Sequence, residues 1–227
     1  MSEALKRAAA ARALEFVASG MRLGLGSGST SRHFLELLGE RLRSGELAGV
    51  VGVPTSEETA RLARGLGIPL EDLDERPLEL AVDGADEIDP ELNAVKGLGG
   101  ALTREKLVAA SARRFVLIAD EGKRVSRLGE RSPIPVEVVA FGWRATGARL
   151  AALGLSPVLR GGAGAPFVSD NGGYLFDCRA PEPFDPAELA RALKGTLGVL
   201  EHGLFLGLAV RAYLAAPVGV AVLERPR

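Results

Sequence analysis

The chain has 227 residues, 47% of them hydrophobic and 25% charged, a globular composition with room for one large domain or a domain with a smaller partner. A formal net charge of −1 gives no reason to expect a nucleic-acid or membrane surface, so any pull on an anionic ligand has to be local. The single cysteine, Cys178, excludes an intramolecular disulfide, and no signal-like stretch or apolar run of about 18 residues appears, which points to a soluble cytoplasmic protein.

Leu5, Ala9, Leu14, Phe16 and Val17 suit an amphipathic helix ending near Gly20. Residues 21–26 read as a short strand, and Ser31 to Arg43 as a helix burying Phe34, Leu35, Leu37 and Leu38. A buried strand over Leu47–Val53 precedes a helix over Glu57–Leu66, with further strands expected at Ile68–Leu70 and Leu78–Val82. Leu102–Arg113 is helical in pattern, and Arg114–Ala119 is a near-continuous apolar strand. Short apolar strands alternating with helices predict a Rossmann-like α/β parallel sheet with helices on both faces.

The texture changes after Gly129. Strands at Ile134–Val139, Pro157–Arg160, Tyr174–Cys178 and Val199–Leu206, with helices at Arg144–Leu153 and Pro186–Lys194, follow the order β-α-β-β-α-β of a ferredoxin-like unit. Leu208–Tyr213 and Val218–Leu223 are placed to return to the first sheet. The expectation is therefore a large α/β domain of residues 1–130 and 207–227, with a small α+β domain inserted at 131–206. Phe141 and Trp143 are expected to pack, with no chemistry assigned to either.

Chemistry concentrates in three places. Gly24-Leu25-Gly26-Ser27-Gly28-Ser29-Thr30 lies between a strand and a helix, where glycine lets backbone N–H groups converge on an anion and the helix N-terminus adds a favourable partial charge. Ser27, Ser29 and Thr30 add hydroxyls, which suits one terminal phosphate. The competing reading is a tight turn with Ser29 or Thr30 as N-cap. Neither a Walker lysine nor a dinucleotide fingerprint is present.

Asp83 and Asp86 follow an apolar strand, at the end where open α/β sheets bind ligands. Their competing reading is a turn at Asp83-Gly84 with Asp86 capping the next helical turn. Glu87 and Asp89 read as solvated neighbours. Magnesium held by carboxylates is a rival reading that nothing in the spacing requires. Glu105 falls in the first turn of the helix after the glycines of 97–100, aimed at the same crevice. With a reference pKa of about 4.3 it is expected to be ionised at neutral pH and able to act as a base. Lys96 and Lys123, two of only five lysines, sit in loops at predicted strand ends.

Residues 26–30 (Gly-Ser-Gly-Ser-Thr), 82–88 (Val-Asp-Gly-Ala-Asp-Glu-Ile), 96–106 (Lys-Gly-x-Gly-x-Ala-Leu-Thr-Arg-Glu-Lys) and 135–138 (Pro-Val-Glu-Val) resemble the A-type ribose-5-phosphate isomerase family across essentially the whole chain. The resemblance implies interconversion of ribose 5-phosphate and ribulose 5-phosphate without a metal or other cofactor, by a homodimer or homotetramer. It implies Glu105 as proton acceptor, Lys123 as a substrate ligand, and a substrate site lined by Ser27, Gly28, Ser29, Thr30, Asp83, Gly84, Ala85, Asp86, Lys96, Gly97 and Gly99. Leu98 departs from the pattern, standing where a third consecutive glycine is expected.

On this reading the loop holds the phosphate, Asp83 or Asp86 helps open the furanose, Glu105 moves the C2 proton to C1, and Lys96 or a loop N–H stabilises the enediolate. Two other classes fit less well. A non-catalytic sugar-phosphate sensor should carry a DNA-binding element or basic extension. A nucleotide-dependent enzyme should show an acid about 20 positions after its glycine loop, and Ala48 stands there.

Overall fold

The computed structural model describes residues 3–181 and 183–225. The elements run α1 (Glu3–Leu14), β1 (Arg22–Leu25), α2 (Ser29–Arg43), β2 (Val51–Pro54), α3 (Glu57–Gly65), β3 (Leu80–Asp83), β4 (Glu87–Ile88), β5 (Ala94–Val95), α4 (Leu102–Ala110) and β6 (Phe115–Asp120). A 3-10 turn over Glu121–Lys123 leads on to β7 (Ile134–Val138), α5 (Trp143–Ala152), β8 (Ser156–Leu159), β9 (Tyr174–Arg179), α6 (Pro186–Lys194), β10 (Val199–His202), β11 (Leu204–Phe205), β12 (Ala209–Ala216) and β13 (Gly219–Glu224).

The main sheet has the order β13-β12-β6-β3-β1-β2. Its inner strands are parallel, and only the edge strand β13 runs antiparallel to its neighbour. Period-two alternation sends successive side chains of β6 to opposite faces. Val116 and Ile118 join Ala13, Leu14, Phe34 and Leu38 under α1 and α2, whereas Phe115, Leu117 and Ala119 join Val108 and Ala109 of α4. Both faces are thus covered, as the near-continuous apolar strands require. The second sheet, β10-β7-β9-β8, is antiparallel, and its order is that of a ferredoxin-like unit.

Several local expectations are corrected. α1 stops at Leu14, because Phe16 and Val17 donate three residues back, to Ala13 and Leu14, and close the helix as a turn. Ile68–Leu70 does not form a ladder strand; only Leu70 bridges, to Gly52. Residues 199–206 divide into β10, which completes the small sheet, and β11, which joins β5 and β4 in a third sheet of three short strands. Trp143 packs against Phe176, but Phe141 is 92% exposed.

Glu87 and Asp89 are buried, not solvated neighbours. Glu87 accepts from three backbone amides, Gly129 at 2.6 Å, Arg131 at 2.7 Å and Ser132 at 2.5 Å, and so pins the segment that leads into β7. Asp89 accepts from the Glu91 and Asn93 amides and closes the turn between β4 and β5.

Candidate active site

Parallel β1, β3 and β6 end at the same edge of the sheet, and the segments that follow them meet there. Together with residues 96–99 and the first turn of α4 they enclose a crevice of about 140 Å³. Ser27, Gly28, Ser29, Thr30, Gly84, Ala85, Asp86, Lys96, Gly97, Gly99, Glu105 and Lys123 line it. Asp83 lies one layer below, 2% exposed.

The β1–α2 turn is capped by backbone alone. Gly28 is the N-cap of α2 and no side chain bonds its first turn, so the reading of Ser29 or Thr30 as cap does not hold. The positive end of a 15-residue helix is left facing the crevice. Ser27 turns its hydroxyl away, onto Thr55 at 2.7 Å, Ser56 at 2.9 Å and Thr59 at 3.1 Å. The hydroxyls left for an anion are those of Ser29 and Thr30. Lys123, half-buried on the 3-10 turn after β6, lines the same crevice.

Beneath this rim sits a buried charge cluster. Asp83 Oδ1 accepts from the Gly84 amide at 2.7 Å, the Ser27 amide at 3.0 Å and the Ser31 hydroxyl at 3.1 Å. Such close backbone approach requires glycine at position 26, where a Cβ would stand 2.2 Å from Asp83 Oδ1 and 2.6 Å from its Cα. The Lys96 ammonium donates to the Gly84 carbonyl at 2.7 Å and lies 3.0 Å from Asp83 Oδ2 and 3.4 Å from Glu105 Oε2. Neither carboxylate oxygen has a hydrogen bond of good geometry, although both are within ion-pair distance of the ammonium.

Two carboxyl groups therefore share one cation. Asp83 is held by three hydrogen-bond donors on Oδ1. Burial pushes the Glu105 carboxyl up to about 8, against the pull of Lys96 and reinforced by Asp83 and Asp86. The expectation of a carboxylate ionised at neutral pH used an exposed reference value, and burial here works against it. Burial by itself depresses the Lys96 ammonium, but Asp83 and then Glu105 outweigh it and hold it above its ordinary range.

The glycine segment supplies backbone. Gly97 adopts φ +103°, and a Cβ there would meet that of Leu102 at 2.6 Å. The Leu98 amide donates to Asp86 Oδ2 at 3.0 Å, so this departure from the family pattern keeps its N–H occupied while its side chain is partly exposed. Sequence reasoning missed Arg160, which joins Asp177 and donates to the Leu98 carbonyl at 3.0 Å, holding the segment from outside. It also missed Ser31 and the hydroxyls of Thr55, Ser56 and Thr59. Ser31 directly follows the recognised motif, but nothing in the linear pattern links 55–59 to Ser27.

Residues 51–219 match the family model described as Ribose 5-phosphate isomerase A (phosphoriboisomerase A). The chain is 54% identical to a ribose-5-phosphate isomerase A of Deinococcus radiodurans, over 98% of this chain and 99% of that one. It is 58% identical to that of Roseiflexus castenholzii, over 97% and 95%. Among solved structures, the ribose 5-phosphate isomerase of Plasmodium falciparum superposes with a TM-score of 0.96 at 37% identity, covering 100% of both chains. A D-ribose-5-phosphate isomerase in complex with phospho-erythronic acid superposes with a TM-score of 0.95 at 40% identity, over 99% of this chain and 100% of that one. Identity at this level over nearly the whole length, in a chain whose lysine and carboxylates converge on one crevice, means that it belongs to the ribose 5-phosphate isomerase A family.

Proposed function

We propose that this crevice interconverts ribose 5-phosphate and ribulose 5-phosphate through an enediolate, with Glu105 as the group that carries the proton between C2 and C1. The observation that carries the assignment is the placement of a buried carboxyl 3.4 Å from a buried ammonium in a crevice that also holds a helix N-terminus and a second lysine. The phosphate goes to the N-terminus of α2, the Ser29 and Thr30 hydroxyls and Lys123. Asp86, which lines the crevice, takes the hydroxyl proton as the furanose opens. Asp83 acts from below by holding Lys96 and the loop.

Glu105 takes the C2 proton as carboxylate and returns it to C1 as acid. A carboxyl whose pKa lies near the working pH does both steps with little penalty. Lys96, with the backbone of Gly97 and Gly99, faces the negative charge that develops on the carbonyl oxygen. A solved relative carries phospho-erythronic acid, a phosphate-bearing ligand of the class for which the α2 N-terminus is proposed. The reaction is tested by incubation with ribose 5-phosphate in chelator and without nucleotide. Ribulose 5-phosphate is expected, with solvent deuterium incorporated; no conversion removes the reading, and conversion without deuterium points to hydride transfer.

The division into a large unit (1–130 and 207–227) and an inserted unit (131–206) belongs to the same proposal, as does assembly into a homodimer or homotetramer. Exposed Phe141, Leu197 and Val218 offer apolar surface for such contacts, and sedimentation at micromolar concentration tests it. Among the described residues no helix is long and apolar enough to cross a membrane, and a cytoplasmic location is part of the proposal.

A further inference from the structure

One motif has no part in the chemistry above: the Pro-Val-Glu-Val stretch of β7. Its Glu137 is fully buried, and among the described residues no cation is bonded to it. Three neutral side chains hold it instead. Ser169 donates to Oε1 at 2.5 Å, Asn171 to Oε1 at 3.2 Å and Thr103 to Oε2 at 2.5 Å. A buried carboxylate met only by neutral donors is expensive to keep unless its geometry matters.

The geometry is informative. Thr103 lies in the first turn of α4, two residues before Glu105, and it is not part of the crevice lining. Ser169 and Asn171 belong to the β8–β9 loop, which is itself fastened to the large sheet side. Asp170 accepts from the Glu57 amide at 2.8 Å, and Arg104 donates to Asn171 at 3.0 Å and to Glu57 at 2.8 Å. Glu137 is thus the point where the antiparallel sheet, its loop and the start of α4 are tied together. The Glu105 carboxyl itself meets only the charge cluster of the crevice, so its placement depends on how α4 is held, by Thr103 on Glu137, by Arg104 on Asn171 and Glu57, and by Lys106 on Glu201 at 2.8 Å.

We infer that Glu137 is a positioning residue for the isomerisation, acting through the Thr103 hydroxyl to set where the first turn of α4 presents Glu105. The inference rests on the reading of Glu105 as the proton carrier. A carboxylate displaced by a fraction of an ångström transfers a carbon-bound proton poorly, since misplacement by about 1 Å costs on the order of 10²-fold.

The test compares Thr103→Val, Thr103→Ser, Glu137→Gln and Glu105→Gln with the parent, using ribose 5-phosphate and kcat normalised to the folded fraction. T103V keeps the shape and removes only the link. It is expected to lower kcat about tenfold, with KM changed less than about twofold and the apparent pKa of kcat displaced. T103S restores the parent values. E137Q, which can still accept from Thr103, falls between them. If T103V lowers only the melting temperature and leaves kcat and its pH profile unchanged, Glu137 is a structural tie and the inference fails. If E105Q retains parental turnover, the reading of Glu105 itself fails, whatever T103V does. Should T103V fold poorly, T103S and E137Q carry the same comparison of kcat against KM.

Discussion

Lys96 and Glu105 face each other at 3.4 Å, ammonium to carboxyl, without the alignment of a hydrogen bond. The contact is an electrostatic one between a held cation and a carboxyl free to give and take a proton. Replacing Glu105 by Gln keeps the shape and removes the proton acceptor. Glu105→Gln is expected to fold normally and lose at least about 10²-fold in kcat. Steady-state assays alongside a melting curve check this, and near-normal turnover would take Glu105 out of the mechanism.

The raised pKa of Glu105 fixes the sign of two pH effects. The base must be ionised, so kcat/KM should rise as pH increases toward and through about 8. Stability moves the other way. Between the ordinary 4.5 and about 8 the folded state holds a proton that the unfolded chain has released. Unfolding is therefore favoured progressively as pH rises through that window, and the loss levels off above 8. Glu105→Gln should flatten this dependence. Melting temperatures from pH 5 to 9 for both proteins decide it; parallel curves would mean that Glu105 titrates as an exposed acid.

Lys96 is the cation for two buried carboxyl groups. Lys96→Met should abolish turnover and lower the melting temperature by about 10 °C, since removing one partner of a buried pair costs about 3–5 kcal/mol. Adding Asp83→Asn to that variant should recover part of the loss by removing the stranded charge. A K96M protein as stable as the parent would mean that the carboxyl groups are neutralised without Lys96.

Lys123 bears on affinity. It is half-buried at the crevice rim, and Lys123→Ala should raise KM for ribose 5-phosphate by about tenfold with a smaller change in kcat. The difference should shrink as salt is added, because a partly exposed pair is screened. An unchanged KM at low ionic strength would place the phosphate elsewhere.

The alternating strands and helices and the β-α-β-β-α-β order of residues 134–202 were legible because each is written in local periodicity. The residues of the crevice lining were legible partly from their place after strands and partly from the family motifs, and the turns after β1, β3 and β6 bring them together. What was not legible depends on contacts distant in sequence. Glu87 reads as one more acid in an acidic stretch, and only the fold brings the 129–132 amides to it. The upward push on the Glu105 carboxyl comes first from burial and then from Asp83 and Asp86, which no spacing encodes. Leu98 stood out as a departure from a motif, yet the structure absorbs it by pointing the side chain outward.

The strand order has a consequence for the birth of the molecule. β6 is bordered by β3 and β12, and β12 comes from residues 209–216, after the whole of the antiparallel sheet has been made. On a ribosome, Val116, Leu117 and Ile118 therefore wait as an open hydrophobic edge for on the order of ten seconds. During that interval a second nascent chain is a competing partner for the edge. The parallel β12–β6 pairing is thus a late, non-local contact that closes only after residues 134–202 have been made.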